Sequence, residues 1–314
     1  MTATPVVLVR TTLSEENRAR MVAAAPGADI RAVANSSELA EQAPEAEVIA
    51  GDIPADVLAA APHLQWLHSW AAGPAVYPEL VHSPVAMTSS KGNGAIPLAE
   101  QAMMLMLMLN RDAMRWIRAQ QTQTWDRHTH GELAGKTCGL IGLGNSGLDL
   151  ARKAKAFHMR VVGTRRTGAD AGPDVDVVYP RERLHDLLAE SDFVVVTAPL
   201  TNETANMIGP AEFAAMKPTA FFICVSRGGI ADDNALLAAL DKGIIAGAGL
   251  DAHTDEPLPA DSPFWTARNT IVTPHNGATT AQTAQRGVDI FIDNLRRYVA
   301  GEPLTNAVDK SAGY

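Results

Sequence analysis

This sequence of 314 residues has few cysteines, no excess of basic residues and no long hydrophobic run, and each shortage excludes a class of protein. Its two cysteines, Cys138 and Cys224, are too few for a disulfide framework, so we expect two reduced core thiols. A formal net charge of −9 argues against binding to nucleic acid or to a membrane surface. The most hydrophobic run, residues 102–109, is too short to span a bilayer. The N-terminus lacks the pattern of an export signal, so we expect a cytoplasmic protein.

The composition is that of a globular protein, with 46% hydrophobic and 19% charged residues, and the length is enough for two domains. In the first hundred residues, short apolar runs alternate with helical patterns. This alternation predicts a parallel sheet with helices on both faces. The predicted strands are Val6–Val9, 47–51 and 64–70, and the predicted helices are 14–25, capped by Ser14, and 54–61, with Pro54 in its first turn.

A long helix is predicted next, over residues 97–118. Its middle section, AMMLMLML, is apolar on all sides, so we expect it to be buried all round, in the core or at a subunit interface. Residues 120–136 are mostly polar and are predicted to connect this helix to a second alternating series.

The second series contains six apolar runs separated by helical patterns. Six strands with crossover helices are typical of a doubly wound nucleotide-binding sheet. A final helix is predicted from about residue 280 to residue 299, with Gly301 as its stop. The six predicted strands are 137–142, Arg160–Thr164, 192–197, 220–225, 244–250 and 270–273.

A glycine-rich turn joins the first of these strands to a helix and has the spacing G-x-G-x-x-G. Gly142 would allow the tight turn, Gly144 a close approach of the backbone to a pyrophosphate, and Gly147 close packing of helix on sheet. The N-terminus of the helix would offer N–H groups to the phosphates. The alternative is a plain glycine-rich turn, but the strand-turn-helix context favours a dinucleotide site.

The end of the second strand of this series indicates which nicotinamide cofactor binds. NAD sites usually carry Asp or Glu there, to hydrogen-bond the ribose 2′-hydroxyl. This sequence instead places Arg165 and Arg166 directly after Thr164, and Asp170 comes several residues later. Because guanidinium groups match the oxygens of a phosphate monoester, we predict NADP(H) in preference to NAD(H). The alternatives are NAD(H) use and two solvated surface arginines.

Three later segments each follow an apolar strand and carry Arg227, Glu256 and His275. Reduction of a keto acid needs a cation for the carboxylate, a proton donor for the carbonyl oxygen and a group that keeps this donor charged. Arginine, histidine and glutamate fit these three roles. Singly, each has a structural explanation: Arg227 could pair with Asp232, Glu256 could be a turn residue, and His275 could be a buried histidine. The order of the three after the glycine turn favours a catalytic set.

With these motifs, the sequence resembles the D-isomer-specific 2-hydroxyacid dehydrogenase family. The resemblance covers nearly the whole chain and rests on GLGNSG at 142–147, APLTNET at 198–204, SRGGIADDNAL at 226–236, LDAHTDEPLP at 250–259 and TPHNGATT at 273–280.

The resemblance implies an α/β protein of two doubly wound parallel-sheet lobes, a Rossmann nucleotide-binding domain and a flavodoxin-like substrate domain. The substrate domain would comprise residues 1–98 and a returning C-terminal helix, 280–314, and the nucleotide-binding domain would comprise residues 99–279. The family also implies a homodimer.

The resemblance further implies hydride transfer between NADP(H) and a small D-2-hydroxy or 2-keto acid, with glyoxylate and hydroxypyruvate as the first candidates. Arg227 would bind substrate, His275 would be the acid/base, and Glu256 would partner the histidine. The loop at 70–73 is expected to present backbone N–H groups to the substrate carboxylate, the alternative being a small-residue turn. No metal site is expected.

The expected substrate-binding residues are Trp70, Ala71, Ala72, Gly73, Arg227 and His275. The expected cofactor-binding residues are Gly142, Gly144, Asn145, Ser146, Gly147, Thr164, Arg165, Arg166, Ala198, Pro199, Thr204, Val225, Ser226, Asp251 and Gly277.

Two departures from the family pattern bear on these roles. Asn145-Ser146 stands where the family often has Arg-Ile, which weakens one expected phosphate contact. The AGVD segment of the family appears as residues 72–75, AGPA, which leaves the substrate preference open. Two other functions remain: a non-catalytic sensor of NAD(P) with the same fold, and the same chemistry on a larger, aromatic or phosphorylated acid.

Overall fold

The chain divides into two compact units in this computed structural model, which describes residues 4–73, 76–166 and 171–311. The first unit combines the chain up to Asn93 with the segment from Thr280 onward, and the second is Gly94–Thr279. The boundaries expected from the sequence, at residues 98 and 279, lie within a few residues of these divisions.

Strands and helices alternate through both units, as the apolar patterning predicts. The strands are β1 Val6–Val9, β2 Asp29–Ala32, β3 Val48–Ala50, β4 Trp66–Ser69, β5 Ala86–Ser89, β6 Thr137–Ile141, β7 Arg160–Thr164, β8 Val177–Tyr179, β9 Phe193–Val196, β10 Phe221–Cys224, β11 Gly247–Leu250 and β12 Thr270–Val272. The helices are α1 Glu15–Ala24, α2 Ser36–Gln42, α3 Ala55–Ala59, α4 Ala95–Asn110, α5 Ala113–Gln121, α6 Asn145–Ala156, α7 Leu184–Glu190, α8 Pro210–Ala215, α9 Asp233–Asp241 and α10 Ala281–Ala300.

The first unit is built on a five-stranded parallel sheet in the order β2-β1-β3-β4-β5. This is the flavodoxin-like order, and it confirms the fold predicted for this part of the chain. Successive residues of each central strand enter different cores: Leu8 and Ile49 pack on one side, Val7 and Val48 on the other. The sheet is therefore buried on both faces, as parallel sheets require.

The last helix closes the first unit, because its apolar side chains belong to the core of this sheet. Thr280 caps α10 by accepting a hydrogen bond from the Thr283 amide, and Gly301 ends it in the left-handed conformation with φ 67°. Phe291 stacks on Trp66 of β4 with a ring-centroid distance of 5.3 Å. The segment that follows the second unit thus packs on the sheet of the first unit.

The second unit is built on a seven-stranded parallel sheet in the order β12-β11-β10-β9-β6-β7-β8. Starting from β6 and reading outward, this is the Rossmann order, with one additional strand beyond β11. The fold class is confirmed, but the expected six strands are seven. The strand that the sequence did not predict is β8, a half-buried edge strand of three residues whose apolar run, VVY, is too short to stand out from the surrounding loop.

The long helix predicted over residues 97–118 is two helices, α4 and α5, and its middle is not buried on all sides within the single chain, which leaves the subunit interface as the place where the expected burial would be completed. The chain breaks after Asn110, and Asp112 takes the left-handed conformation with φ 51°. Leu105 and Met106 are fully buried, whereas Met104 is 39% exposed. An apolar side of α4 therefore stays uncovered in the single chain.

Both cysteines are buried free thiols, and burial raises the pKa of Cys138 to about 12. Within the described residues, the structure has no helix that is long and apolar enough to cross a membrane.

Candidate active site

The glycine turn lies between β6 and α6 and packs against the chain that follows β9. Gly142 has φ 108°, and a Cβ placed on it would lie 2.6 Å from the Ala198 backbone nitrogen. A Cβ on Gly147 would lie 2.1 Å from the Gly142 carbonyl oxygen. Neither position accepts a side chain, so the turn brings the start of α6 directly against the end of β6, as the motif predicts.

The start of α6 has the features that a dinucleotide pyrophosphate needs. Gly144 is the N-cap, and no side chain caps the helix. A Cβ on Gly144 would meet no atom of the described chain within 4 Å, so open space lies beside it. Gly144 and Asn145 are exposed, and Ser146 is half-buried. Uncapped N–H groups facing open space fit a phosphate group, so the residues present suit the nucleotide that the fold implies.

Two loops that follow neighbouring strands contain further residues of the predicted cofactor set. The Ala198 amide donates to the Ile141 carbonyl oxygen at 2.9 Å, which ties the loop after β9 to the end of β6. Thr204 donates its hydroxyl to the Pro199 carbonyl oxygen at 2.7 Å and so closes a turn over residues 199–204. After β10, Val225 is buried and Ser226 half-buried. The cofactor roles of these residues remain predictions.

The end of β7 is basic, as the sequence predicts. Thr164 is buried, and its carbonyl oxygen accepts a hydrogen bond from the Gly142 amide at 3.0 Å. Arg165 is half-buried and Arg166 exposed, and Asp170 lies outside the described residues. The carboxylate of Asp176 accepts from the Val161 amide at 2.7 Å and pairs with Lys155 at 2.9 Å. The Asp176 carboxylate is therefore already bound to the backbone of β7 and to a side chain of α6.

His275 and Glu256 are in contact, although 19 residues separate them along the chain. Their loops follow the neighbouring parallel strands β12 and β11, whose carboxyl ends lie at one edge of the sheet. Nδ1 of His275 lies 2.8 Å from both carboxylate oxygens of Glu256. Within the described chain, no hydrogen bond holds Nε2 of this ring, and the side chain is 32% exposed. The His275 ring is therefore fixed through Nδ1, and Nε2 has no hydrogen-bond partner within the described chain.

The Glu256 carboxylate is also held by its own loop, because it accepts a hydrogen bond from the His253 amide at 2.9 Å. Burial raises the pKa of Glu256, but the hydrogen bonds from the His253 amide and the His275 ring outweigh this effect. The pKa of Glu256 therefore lies below its ordinary value. A carboxylate that stays ionised in this way accepts the hydrogen bond from Nδ1 of the imidazole beside it.

The lowered pKa of Glu256 predicts how the stability of the protein depends on pH. A depressed carboxyl pKa contributes stability above the unfolded-state value of about 4.3, and this stability is lost as the pH falls through the folded-state value. We expect Glu256→Gln to melt below the wild type at neutral pH, and the difference in Tm to shrink below about pH 4. Melting curves from pH 3 to 8 measure this. The exposed Asp261 supplies the control Asp261→Asn, and a difference that grows on acidification would contradict the pairing.

The loop that carries His275 is organised by Asp251, whose structural role the sequence did not indicate. Asp251 is fully buried, and its carboxylate accepts hydrogen bonds from the Thr273 hydroxyl at 2.6 Å and the Gly277 amide at 2.9 Å. The Asn276 amide lies 3.3 Å from the same carboxylate. His275 has φ 49°, a left-handed conformation that is costly for a residue with a side chain. The bonds to Asp251 on both sides of His275 hold the loop in this conformation.

Arg227 follows β10, the strand that neighbours β11. Its Nη1 donates to the Ser226 carbonyl oxygen at 2.7 Å, and no carboxylate of the described residues lies within ion-pair distance. The alternative pairing with Asp232 does not occur, because the Asp232 side chain accepts from the Ala235 amide and caps α9. The guanidinium of Arg227 is half-buried, and an anionic ligand would fit it.

The loop at 70–73 belongs to the first unit. Trp70 donates its indole N–H to the Arg10 carbonyl oxygen at 3.2 Å, and the Ser90 amide donates to the Ala71 carbonyl oxygen at 3.2 Å. Ala71, Ala72 and Gly73 are exposed, whereas Pro74 and Ala75 lie outside the described residues. The loop borders a cavity of about 450 Å³ whose other lining residues include Gly51, Asp52 and Tyr77. Its expected role in binding substrate remains a prediction.

A family model described as the NAD binding domain of D-isomer specific 2-hydroxyacid dehydrogenases matches residues 103–277. This chain belongs to the D-isomer specific 2-hydroxyacid dehydrogenase family. Its relatives include glyoxylate/hydroxypyruvate reductase B of Cronobacter sakazakii, 36% identical over 240 residues that cover 74% of this chain and 71% of that protein. The corresponding protein of Pectobacterium carotovorum is 35% identical over 237 residues, 73% of this chain and 71% of that protein.

Solved structures of 2-hydroxyacid dehydrogenases have the same fold over almost the whole chain. One from Aeromonas salmonicida superposes with a TM-score of 0.87 at 29% identity, covering 98% of this chain and 100% of that one. One from Xanthobacter autotrophicus, in complex with NADPH and MES, has a TM-score of 0.84 at 30% identity, covering 99% and 100%. The NADPH-dependent glyoxylate/hydroxypyruvate reductase of Sinorhizobium meliloti, in complex with NADP and sulfate, has a TM-score of 0.82 at 27% identity, covering 99% and 100%.

Proposed function

We propose that this 2-hydroxyacid dehydrogenase transfers a hydride between NADP(H) and a small 2-keto or D-2-hydroxy acid, with glyoxylate and hydroxypyruvate as its substrates. The observation that carries the proposal is the contact of His275 with Glu256, at the same edge of the sheet as the glycine turn. Parallel sheets of this kind bind their ligands at this edge.

Three side chains have separate parts in the proposed reaction. Arg227, which has no carboxylate partner within the described chain, binds the carboxylate of the keto acid and polarises its carbonyl group. His275 donates a proton from Nε2 to the carbonyl oxygen, and in the reverse direction it accepts this proton. Glu256 holds the ring through Nδ1 and stabilises its cationic form. The bound NADPH supplies the hydride that reaches the 2-carbon.

The choice of glyoxylate and hydroxypyruvate is supported by the relatives, which are reductases of these acids. An absorbance assay of NADPH and NADH oxidation across a panel of 2-keto acids tests it, with pyruvate, phenylpyruvate and a phosphorylated keto acid beside the two named. Highest kcat/KM for a large or aromatic acid would contradict this substrate class. Cofactor binding without turnover on any member of the panel would instead favour a sensor of NAD(P).

The preference for NADP(H) is supported by Arg165 and Arg166 after β7 and by the NADPH or NADP bound in two similar structures. We expect the change of both arginines to serine to raise the KM for NADPH by about 10–100-fold, because a hydrogen bond to a charged group contributes about 1.5–3 kcal/mol. The KM for NADH should change little. The control is Arg152→Ser, because Arg152 is exposed and pairs with Asp149 on α6. Equal losses for both cofactors would contradict a 2′-phosphate contact.

We also propose that the chain acts in the cytoplasm as a homodimer that covers the apolar side of α4. Met104, Leu107 and Met108 line this side together with Phe157, and Met104 and Phe157 are 39% and 43% exposed. Burial of such a surface against a second copy removes it from water. Light scattering of the purified protein should give twice the chain mass of 33.3 kDa. A monomer at micromolar concentration would contradict the dimer.

A further inference from the structure

A third arginine, Arg181, follows the strand that neighbours the one leading to Arg165 and Arg166. Strands β7 and β8 are parallel neighbours with Thr164 opposite Tyr179. Arg181 follows Tyr179 by two residues, as Arg166 follows Thr164. Because neighbouring strands lie about 4.8 Å apart, the chain leaves the sheet at Arg166 and at Arg181 from adjacent points of the same edge.

Arg181 is paired with Glu203, a residue of the loop that follows β9. Its Nη1 lies 2.9 Å from Oε2 of Glu203, and its Nη2 donates to the Glu203 carbonyl oxygen. The loop containing Glu203 follows β9, and β6 and β7 lie between β9 and β8 in the sheet. The Arg181–Glu203 pair therefore joins the chain that follows β9 to the chain that follows β8. In this fold the residue that binds the adenosine ribose follows the second strand, here β7, which neighbours β8.

The partner of Arg181 is easily exchanged, unlike that of Arg183 in the same turn. Arg183 pairs with Asp186 three residues away and lies over the Tyr179 ring at 5.2 Å, so it is held locally. In the Arg181–Glu203 pair the side chains are 48% and 64% exposed. An exposed ion pair of this kind stabilises the paired arrangement over the separated side chains by at most about fivefold. A phosphate monoester, with a charge of about −1.5 to −2, is a stronger partner for the same guanidinium.

We propose that Arg181 binds the 2′-phosphate of NADP(H) together with Arg165 and Arg166, and that Glu203 competes for it in the free protein. The proposal rests on the assignment of NADP(H) in the proposed function. It adds a residue from a second strand to the phosphate site. It also makes Glu203 an internal competitor of the phosphate. Glu203 must release Arg181 before the phosphate binds, and this exchange weakens the binding of NADPH.

The test measures Kd for NADPH and for NADH from the change in nucleotide fluorescence, with no keto acid present. Arg181→Met should raise the Kd for NADPH about tenfold and leave that for NADH unchanged, because only NADPH carries the 2′-phosphate. The matched control is Arg183→Met, which removes a neighbouring arginine of the same turn and should change neither Kd. NADH binding serves at the same time as the measure of correct folding.

A second variant tests the competition. Glu203→Gln should lower the Kd for NADPH about two- to fivefold, the range expected when an exposed ion pair no longer has to be broken. In the Arg181→Met background the same change should have no effect, because there is no guanidinium left to release. An effect of Glu203→Gln that persists in this background would overturn the competition.

Other outcomes separate this proposal from the proposed reaction. Equal changes in both Kd values on Arg181→Met, or no change, would overturn the role of Arg181, and so would a wild-type protein that binds NADPH and NADH equally well. If NADPH binding depends on Arg181 as expected but no keto acid is reduced, the phosphate site stands and the proposed reaction fails.

Discussion

Replacement of His275 by alanine is expected to lower kcat for keto-acid reduction by about 10²–10⁴-fold, the contribution of a positioned acid or base. The geometry gives the reason. Glu256 holds Nδ1 of the ring at 2.8 Å, and Nε2 is left without a hydrogen bond from the described chain. Alanine removes the proton donor and leaves the glycine turn before α6 unchanged, so the Kd for NADPH should stay within about twofold, since distant sites without shared partners contribute independently. Steady-state kinetics and a fluorescence titration measure the two quantities.

The chain offers a matched control for this prediction. His185 and Glu212 form a second histidine–glutamate pair, with Nε2 of His185 3.0 Å from Oε1 of Glu212. This pair lies on the surface of the same unit, between α7 and α8. His185→Ala should therefore keep wild-type kcat. Full activity in His275→Ala, or an equal loss in His185→Ala, would exclude His275 as the specific proton donor.

The sequence predicted the central strands of both sheets because these are buried on both faces and form continuous apolar runs. It did not predict β2, β5 or β8, three of the edge strands, for the opposite reason; in β5 Met87 is the one buried hydrophobic residue. In β2 only Ile30 is buried, and the three residues of β8 are all half-buried, so their sequences carry too little apolar signal. The break between α4 and α5 was missed as well, because Asp112 adopts φ 51° in a stretch with neither glycine nor proline.

In the candidate site, too, some residues could be recognised from the local sequence, whereas the contacts that support them depend on the fold. A histidine and a glutamate that each follow an apolar strand could be recognised from the sequence, because parallel strands bring their carboxyl ends to one edge. The structure places Glu256 and His275 in contact there. The sequence could not show what supports them. Asp251 was assigned to cofactor binding from its position after β11, and its hydrogen bonds to residues 22 and 26 positions further along depend on the fold alone.

Asp251→Ala is therefore expected to affect both stability and catalysis. The change leaves the Thr273 hydroxyl and the amides of Asn276 and Gly277 without their buried acceptor. Since an unsatisfied buried donor costs about 1–3 kcal/mol, the free energy of unfolding should fall by roughly 3–5 kcal/mol. At about 2–4 °C per kcal/mol for a unit of this size, Tm should fall by about 10 °C. The kcat should fall with it, because the bonds that hold His275 at φ 49° are lost.

A comparison of three measurements decides between the two roles of Asp251. If it supports the His275 loop, Tm and kcat fall together while the Kd for NADPH changes by less than either. If it acts chiefly as a cofactor ligand, the role expected from the sequence, Tm stays near the wild-type value and the Kd for NADPH rises. The control is Asp255→Asn, at an exposed carboxylate in the same loop. Asp251→Asn completes the comparison: one carboxylate oxygen becomes an NH₂ group that cannot accept from the loop amides, so a loop-supporting Asp251 predicts a loss of stability even in this isosteric variant.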